Sequence, residues 1–238
     1  MCTVTYLPTE EGFILTSNRD ERKSRSNTDV PKPYQLYGQT VYFPQDKESS
    51  GTWIATSAQG LSLCLLNGAF EKHESQPPYR VSRGLILLEF FKHRFANDFL
   101  ANTDLDGIEP FTLIIASQQT PKNYLYELRW DGNTPHLKSL DPGKACIWSS
   151  ATLYPKEIRA EREFWFENWL DKNPVFGQED ILFFHHFAGR DDNNNALIMT
   201  RENDRQTISI TSVLQTGGNR KIVYEDLIQQ KIHRIHVY

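Results

Sequence analysis

The chain has 238 residues, 24% of them charged and 39% hydrophobic, which suits a globular protein of one large domain or two small ones. Its net charge of −4 gives no reason to expect a nucleic-acid partner, because proteins that bind nucleic acids usually carry excess positive charge. Three cysteines without a CxxC pair, no recognisable signal peptide and no apolar stretch of the ~18 residues that a membrane span needs lead us to expect a reduced, cytoplasmic protein.

The first predicted element is a β-hairpin. Two β-prone segments, 2–7 and 12–17, flank turn chemistry at residues 8–11. A hairpin centred near residues 9–10 places the partner of Cys2 close to Ser17. The polar residues that follow the second strand then emerge beside the start of the chain.

The next segments predict a loop and three strands. Residues 22–39 are polar and contain two prolines, which is typical of a long surface loop. A short strand is expected over 40–44. Residues 53–56 and 61–66 flank a four-residue turn and predict a second hairpin.

The middle of the chain predicts one helix and a group of strands. The helix is expected over 80–97, where an apolar stripe recurs at helical spacing at Val81, Leu85, Leu88, Phe91 and Phe95. Strands are expected over 111–116, 123–130 and 136–140, and residues 145–148 are expected to continue the same sheet.

The last third predicts two helices and then strands. The helices cover about 155–171 and 178–188, and the strands 197–201, 206–215 and 220–225, with an edge strand in the tail from 232 to 238. Strands at both ends of the chain with helices between them indicate an α+β fold rather than a βαβ series. We expect a single domain over 1–238.

Cys2 and the run Asn18-Arg19-Asp20-Glu21 outline an active site. If Met1 is removed, Cys2 carries a thiol and a free α-amine, and because the amine titrates near ~7.7–8.0 it can accept the thiol proton near neutral pH. A neighbouring Arg19 favours the thiolate, and Asp20 can hold the ammonium or orient Arg19. Strand alternation turns only one of Asp20 and Glu21 towards the thiol, and both remain open. The structural alternative is a small strand residue beside a polar strand end.

The remaining cysteines and a histidine pair are interpreted as structural. Cys64 lies in an apolar strand and Cys146 precedes Ile147-Trp148, so both are expected in the core. His185 and His186 are adjacent on a predicted helix and point to different faces, without metal-ligand spacing. We therefore expect no metal and no cofactor.

Two segments, Met1-Cys2-Thr3 and Ser17-Asn18-Arg19-Asp20-Glu21, resemble the signature of the NRDE family, which includes the transport and Golgi organisation protein 2 group. The family is placed with the N-terminal nucleophile (Ntn) hydrolases. The resemblance therefore implies a four-layer αββα sandwich, in which two stacked antiparallel sheets lie between helices. It extends over most of the chain, through Gly51–Ala55, Leu66-Asn67-Gly68, Ser82-Arg83-Gly84, Pro110-Phe111, Ile147–Tyr154 and Thr207–Thr211.

The hairpin is also similar in layout to the bile-salt hydrolase and penicillin V acylase group of Ntn enzymes. In that group an N-terminal Cys attacks an amide, with support from an Arg and an Asp at the end of the second strand. The resemblance assigns those roles to Cys2, Arg19 and Asp20, although the Arg–Asp spacing is shorter here. It also makes Asn67 the candidate oxyanion donor, whereas the plain alternative is a turn former before Gly68.

Ser150 is a departure from the family pattern. The pair Ser149-Ser150 lies where larger relatives tend to show Ser-Asn. If that Asn helps to form the oxyanion hole, the Ser150 hydroxyl or a backbone N–H must replace it. The alternative is a turn that leads to the next helix, with Thr152 as its N-cap.

Three functional hypotheses follow. The first is an amidohydrolase that cleaves a linear, non-peptide C–N bond through an acyl-enzyme on Cys2, with Asn18, Glu21 and Ser150 in support. The second, implied by eukaryotic relatives, is a protein that binds and carries haem, lipid or acyl-CoA on the same fold. The third is a degenerate scaffold whose four-residue run only stabilises the hairpin. The expected partner is a small amide or lipid-like molecule, and the sequence indicates no oligomeric state.

Overall fold

A computed structural model describes residues 3–25, 28–118, 123–201, 204–217 and 219–238. Cys2 and Met1 lie outside the described residues. The strands are β1 (Thr3–Thr9), β2 (Gly12–Arg22), β3 (Thr28–Leu36), β4 (Gln39–Asp46), β5 (Ile54–Ser57), β6 (Leu61–Asn67), β7 (Phe111–Ser117), β8 (Tyr124–Trp130), β9 (Pro135–Leu140), β10 (Cys146–Ser149), β11 (Arg205–Gln215), β12 (Arg220–Asp226) and β13 (Lys231–His236). The helices are α1 (Arg83–Glu89), α2 (Ala96–Asn102), α3 (Lys156–Lys172) and α4 (Gln178–Phe187).

The described strands form two antiparallel sheets, which confirms the α+β prediction. The first sheet has the order β10-β1-β2-β11-β12-β13, and the second has the order β3-β4-β5-β6-β7-β8-β9. Helices α3 and α4 cover the outer face of the first sheet, and α1 and α2 cover the outer face of the second. The arrangement is the αββα sandwich that the family resemblance implies.

Strand alternation sorts the hairpin side chains between two layers. Val4 and Tyr6 of β1, together with Phe13 and Leu15 of β2, pack between the sheets against residues such as Ile54. The intervening side chains point to the helices, where Leu7 and Ile14 pack against Phe166, Ile181 and Phe184. This alternation decides which polar residues at the end of β2 meet the space between the sheets.

The predicted loop over 22–39 is wrong for most of its length. A 3-10 turn covers Lys23–Arg25, and β3 follows as the edge strand of the second sheet. Two prolines, Pro31 and Pro33, made this segment look like a loop. They are tolerated because an edge strand has backbone positions that need not donate to a neighbour.

The single helix predicted over 80–97 is also wrong. The chain forms α1, a 3-10 turn over Phe90–Lys92 and then α2, with an extended residue at His93. Leu85 and Phe95 of the predicted stripe are exposed, whereas Leu87 and Phe90 are fully buried. Too many consecutive residues are apolar for one helical face, and the break lets both segments pack on the second sheet.

Three smaller predictions also need correction. Strand β10 pairs with β1 and so belongs to the first sheet rather than continuing the second. The strand expected over 197–201 is only an isolated bridge between Thr200 and Gln206. Cys64 is buried as predicted, but Cys146 is only partly buried. The hairpin of β5 and β6, both long helices and the edge strand β13 are confirmed, with shifted ends.

Candidate active site

The N-terminal hairpin is present, but its register differs from the prediction. Ser17 pairs with Val4, and Thr3, the first described residue, pairs with Asn18. The strands continue through Thr9 and Gly12, so the turn is tighter than the four-residue turn expected from the sequence. The register therefore brings the end of β2 alongside the start of β1, as the hairpin argument requires.

A cavity of about 350 Å³ opens at this end of the sandwich, and Arg19 and Glu21 both line it. They continue the face of β2 that Phe13 and Leu15 define. Asp20 lies on the opposite face, among groups from the helical side of the sheet. Glu21 and not Asp20 therefore shares the cavity with Arg19, whereas the question of which carboxylate faces Cys2 involves a residue outside the described ranges.

Arg19 is nearly completely buried and makes three interactions across the sandwich. Its Nη2 lies 2.6 Å from Oδ2 of Asp46, and its Nη1 donates to Oγ1 of Thr28 at 2.6 Å. Its Cζ lies 4.2 Å from the centre of the Trp53 ring. Burial lowers the pKa of Arg19 from its usual value, and the charge of Asp46 opposes that shift. The guanidinium is a fixed positive charge in the wall of the cavity.

Glu21 supplies negative charge to the same cavity. Its Oε2 lies 3.6 Å from Nη1 of Arg25, and its Oε1 accepts the backbone N–H of Arg22 at 2.9 Å. Burial raises the pKa of Glu21, but surrounding positive charges, Arg25 and Arg19 among them, outweigh burial and leave the pKa below its usual value. Glu21 is therefore an ionised carboxylate at neutral pH.

Asn67 ends β6 and lines the cavity from the second sheet. Its carbonyl oxygen accepts a hydrogen bond from Oγ of Ser150 at 2.8 Å, so Ser150 holds the end of β6 from the first sheet. Gly68 follows with φ +81, and a Cβ there would lie 2.6 Å from Oγ1 of Thr152. Glycine is required at this turn. Thr152 is not the N-cap of α3, because Pro155 occupies that position.

Asn18 does not line the cavity. Its Nδ2 donates to the carbonyl oxygen of Leu197 at 2.6 Å, and its Oδ1 accepts from Nδ1 of His185. Nε2 of His185 then accepts from the Thr5 hydroxyl at 2.8 Å. Burial lowers the pKa of His185 to about 3, helped by His186 and Arg162, so the ring is neutral. Asn18 and His185 join the hairpin to α4.

Asp20 accepts two hydroxyl hydrogen bonds behind the cavity. The Tyr154 hydroxyl donates to Oδ2 at 2.8 Å, and Oγ1 of Thr207 donates to Oδ1 at 2.6 Å. All three side chains are nearly completely buried. The carboxylate is therefore held in one orientation at the end of β2.

Sequence reasoning missed several residues of the site. Asp46 and Glu109 gave no signal, because each lies in a segment without a recognisable motif. Trp53 and Arg83 lie in segments that carry the family resemblance, but no role was attached to them. Glu109 accepts from Nη2 of Arg83 at 2.9 Å at the far wall of the cavity. The indole N–H of Trp53 is buried without a hydrogen-bond partner in the described part of the chain.

No group of three or more His, Cys, Asp or Glu among the described residues is placed to hold a metal ion. His185 and His186 do point to different faces, with His185 buried and His186 pairing with Glu225 at 2.5 Å. No helix in the described ranges is long and apolar enough to cross a membrane.

Comparisons with known proteins identify the fold. The family model for "Transport and Golgi organisation 2" matches residues 1–217. A structure of a variant of the conjugated bile acid hydrolase from Clostridium perfringens is similar, with a TM-score of 0.57 and 10% identity, covering 99% of this chain and 92% of that chain. A second variant of that enzyme has a TM-score of 0.55 and 12% identity, with 99% and 92% covered.

A third solved structure and a search of curated proteins complete the comparison. The Caenorhabditis elegans ortholog of N-acylethanolamine-hydrolyzing acid amidase has a TM-score of 0.59 and 11% identity, covering 89% of this chain and 92% of that chain. The search of curated proteins found no match. At these identities, the likeness to the solved structures establishes an Ntn-hydrolase fold.

Proposed function

This chain belongs to the transport and Golgi organisation 2 family, and from that premise we propose that it is an N-terminal-cysteine amidohydrolase. It cleaves a linear, non-peptide amide C–N bond through an acyl-enzyme on Cys2 once Met1 is removed. Proteins with similar structures have names that describe hydrolysis of bile acid conjugates and of N-acylethanolamines. These similar structures support an acyl compound as the substrate. The evidence for catalysis by this chain must come from its own residues.

The observation that carries the proposal is the alternation of β1 beside the cavity. Thr3 and Thr5 direct their hydroxyls to the helical side, towards Arg162 and His185, whereas Val4 packs between the sheets. A side chain at position 2 that continues this pattern points to the same side as Val4. Its Cα is only about 3.8 Å from that of Thr3. On that continuation, we expect the thiol to face the cavity that Arg19 and Glu21 line.

The proposed reaction assigns a role to the α-amine, the thiol and Asn67. The α-amine of Cys2 takes the thiol proton, and the thiolate attacks the substrate carbonyl to form a C–S bond. Asn67 donates to the oxyanion, a role worth about 3–4 kcal/mol in the transition state. Collapse breaks the C–N bond, and the leaving amine takes the proton from the ammonium. Water then hydrolyses the thioester, which restores the thiol and releases the acid.

Arg19 and Asp20 have supporting roles in this proposal. Arg19 places a fixed positive charge on the thiol side of β2, which favours the thiolate. In the proposal, Asp20 on the other face of the same strand holds the α-ammonium, and its bonds to Tyr154 and Thr207 support this role by fixing its orientation. Glu21 shares the cavity with Arg19. The negative charge of Glu21 therefore contributes to the electrostatic potential in the cavity and to the selection of the substrate. Ser150 acts through the backbone of Asn67 rather than as an oxyanion donor.

The test starts with the intact mass of the purified protein, which reports whether Met1 is removed. A panel of fluorogenic N-acyl amides is then assayed with the wild type, Cys2→Ala and the control Cys146→Ala. We expect Cys2→Ala to lose at least about a thousandfold of any turnover, because the nucleophile is gone. Cys146→Ala should keep it, since Cys146 lies in β10 away from the cavity lining. Undiminished turnover by Cys2→Ala refutes the proposal.

The binding alternative remains a prediction with its own test. The cavity lining combines charged residues such as Glu21, Arg83 and Glu109 with a few apolar ones, which suits a polar amide better than a purely apolar lipid. A haem titration that leaves the Soret spectrum of haem unchanged argues against the haem version. A saturable change in the Soret spectrum, from a protein whose Cys2 thiol turns over no amide, favours haem binding over hydrolysis.

A further inference from the structure

Two side chains behind the candidate site connect its two strands from the helical layer. Arg162, on α3, contacts Thr3 of β1, and Tyr154, before α3, contacts Asp20 of β2. We propose that Arg162 and Tyr154 are positioning residues that hold the start of the chain and Asp20 in one fixed geometry. The inference rests on the proposed function, because that geometry matters most if Cys2 is the nucleophile.

Arg162 is a fully buried charge with an unusual set of partners. Its Nη1 donates to Oγ1 of Thr3 at 2.5 Å. Its Nη2 donates at 2.8 Å to the carbonyl oxygens of Asn195 and Ala196, and Nε donates to Asn195 at 3.1 Å. No carboxylate within the described residues forms an ion pair with it. Burying a guanidinium without a carboxylate partner costs folding free energy. We therefore infer that Arg162 has a role in holding Thr3 of β1 against the segment of Asn195 and Ala196.

Tyr154 links Arg162 to the carboxylate. The Cζ of Arg162 lies 3.6 Å from the centre of the Tyr154 ring, and the Cζ of Arg201 lies 5.1 Å from it. Cations over an aromatic ring are attracted by its electron density, and they draw that density away from the hydroxyl. The Tyr154 O–H therefore becomes a stronger donor to Oδ2 of Asp20. Thr3, Arg162, Tyr154 and Asp20 form one continuous connection.

This connection would keep an N-terminal general base in a fixed position. Chain termini fray unless they are tied down, and a general base must stay within hydrogen-bond reach of its proton. His185, which contacts the hairpin, is neutral and already bonded to Thr5 and Asn18, so it cannot replace the amine. Arg162 ties down β1 at Thr3, one residue after Cys2. Tyr154 orients Asp20, the carboxylate proposed to hold the amine.

The experiment compares two tyrosine variants by the reactivity of the Cys2 thiol. Tyr154→Phe removes one hydroxyl and keeps the ring against Arg162. Tyr6→Phe is the matched control, because Tyr6 is fully buried on β1 and its hydroxyl donates to the carbonyl oxygen of Pro142 at 2.9 Å. Iodoacetamide labelling across pH 5.5–9, read by peptide mass spectrometry, follows Cys2 alone. Burial raises the pKa of Cys64 to about 12 and also raises that of Cys146, so both label slowly.

We expect Tyr154→Phe to move the labelling midpoint of Cys2 upward by about half a pH unit, which is roughly threefold slower labelling at pH 7. A displaced Asp20 holds the ammonium less well, and the thiolate loses its partner. Tyr6→Phe should lose stability and keep the wild-type profile. The charged residues that line the cavity are unchanged in both variants, namely Arg19, Glu21, Arg25, Asp46, Arg83 and Glu109.

Further variants at two positions, Arg162 and Thr207, make the result decisive. Arg162→Lys keeps the charge but cannot reach Thr3 and both carbonyls at once, so it should shift the profile in the same direction. If it does not fold, Thr207→Val and its rescue by Thr207→Ser test the second donor to Asp20. Identical profiles for Tyr154→Phe, Tyr6→Phe and the wild type overturn the inference. A shifted profile without turnover of any acyl amide keeps the positioning role and rejects the hydrolase.

Discussion

Acid should destabilise this protein through His185 well before its carboxylates titrate. The ring is fully buried and its pKa is about 3, because burial disfavours the charged form and His186 and Arg162 add repulsion. An unfolded histidine titrates near ~6.5. Between these values the unfolded chain binds a proton that the folded chain does not. The free energy of unfolding therefore falls as pH decreases through this window.

The size of the effect follows from the gap between the two pKa values. Each pH unit below ~6.5 costs about 1.4 kcal/mol, so the loss from this one group is about 2 kcal/mol at pH 5. His185→Asn removes the titration and keeps an N–H that can donate to Oδ1 of Asn18. This variant should be less stable at pH 7, because it loses the ring and the bond to Thr5.

Urea unfolding at pH 7, 6 and 5 measures the effect directly. The wild type should lose about 2 kcal/mol more than His185→Asn between pH 7 and pH 5. His236→Asn is the matched control, because His236 is exposed on the edge strand β13 and should retain the wild-type dependence. If the free energy of unfolding depends on pH in the same way for the wild type and His185→Asn, His185 is not held neutral, and the reasoning about this site fails.

Three further predictions concern the frame of the site. Arg19→Met should lower the free energy of unfolding by about 3 kcal/mol in a denaturant titration, because buried Asp46 loses its partner at 2.6 Å and keeps only the longer contact with Arg25 at 3.3 Å; a loss below about 1 kcal/mol contradicts this. Ser150→Ala should cost about 1–2 kcal/mol in the same assay, because the carbonyl of Asn67 loses its donor; no loss means the bond is not formed. Gly68→Ala should lower the melting temperature more than Gly38→Ala, since both have positive φ but only Gly68 meets an obstacle, and equal losses would remove the obstacle as a cause.

Much of the fold could be predicted because its signals are local. Alternation and turn chemistry locate both hairpins, and helical spacing locates α3 and α4. The sequence did not predict edge strand β3, because prolines such as Pro31 and Pro33 occur both in loops and on sheet edges. Only the order of strands in the sheet distinguishes the two cases. The break between α1 and α2 escaped because burial against the sheet, which is tertiary information, decides where the apolar residues point.

The candidate site depends on contacts that no local pattern contains. Asp46 pairs with Arg19 across 27 residues, and Ser150 bonds the end of β6 across 83 residues. Arg162 reaches Thr3 across 159 residues. In the sequence, the segment that carries Arg162 indicates a charged helix with Ile158, Trp165 and Trp169 on one side, and nothing singles out Arg162. Its buried guanidinium becomes visible only when the start of β1 is packed against it.

The Arg19 pair also changes how the scaffold hypothesis must be tested. That hypothesis predicts a sharp loss of stability on removal of Arg19, whereas a purely catalytic role predicts little loss. The ion pair with Asp46 and the contact with Trp53 make the loss large under either hypothesis. Stability therefore cannot separate a scaffold from an enzyme at this position. The separation must come from Cys2, whose labelling rate depends on the thiolate and not on the folding free energy. A scaffold predicts an ordinary cysteine midpoint near ~8.5, and an Ntn enzyme predicts a lower one.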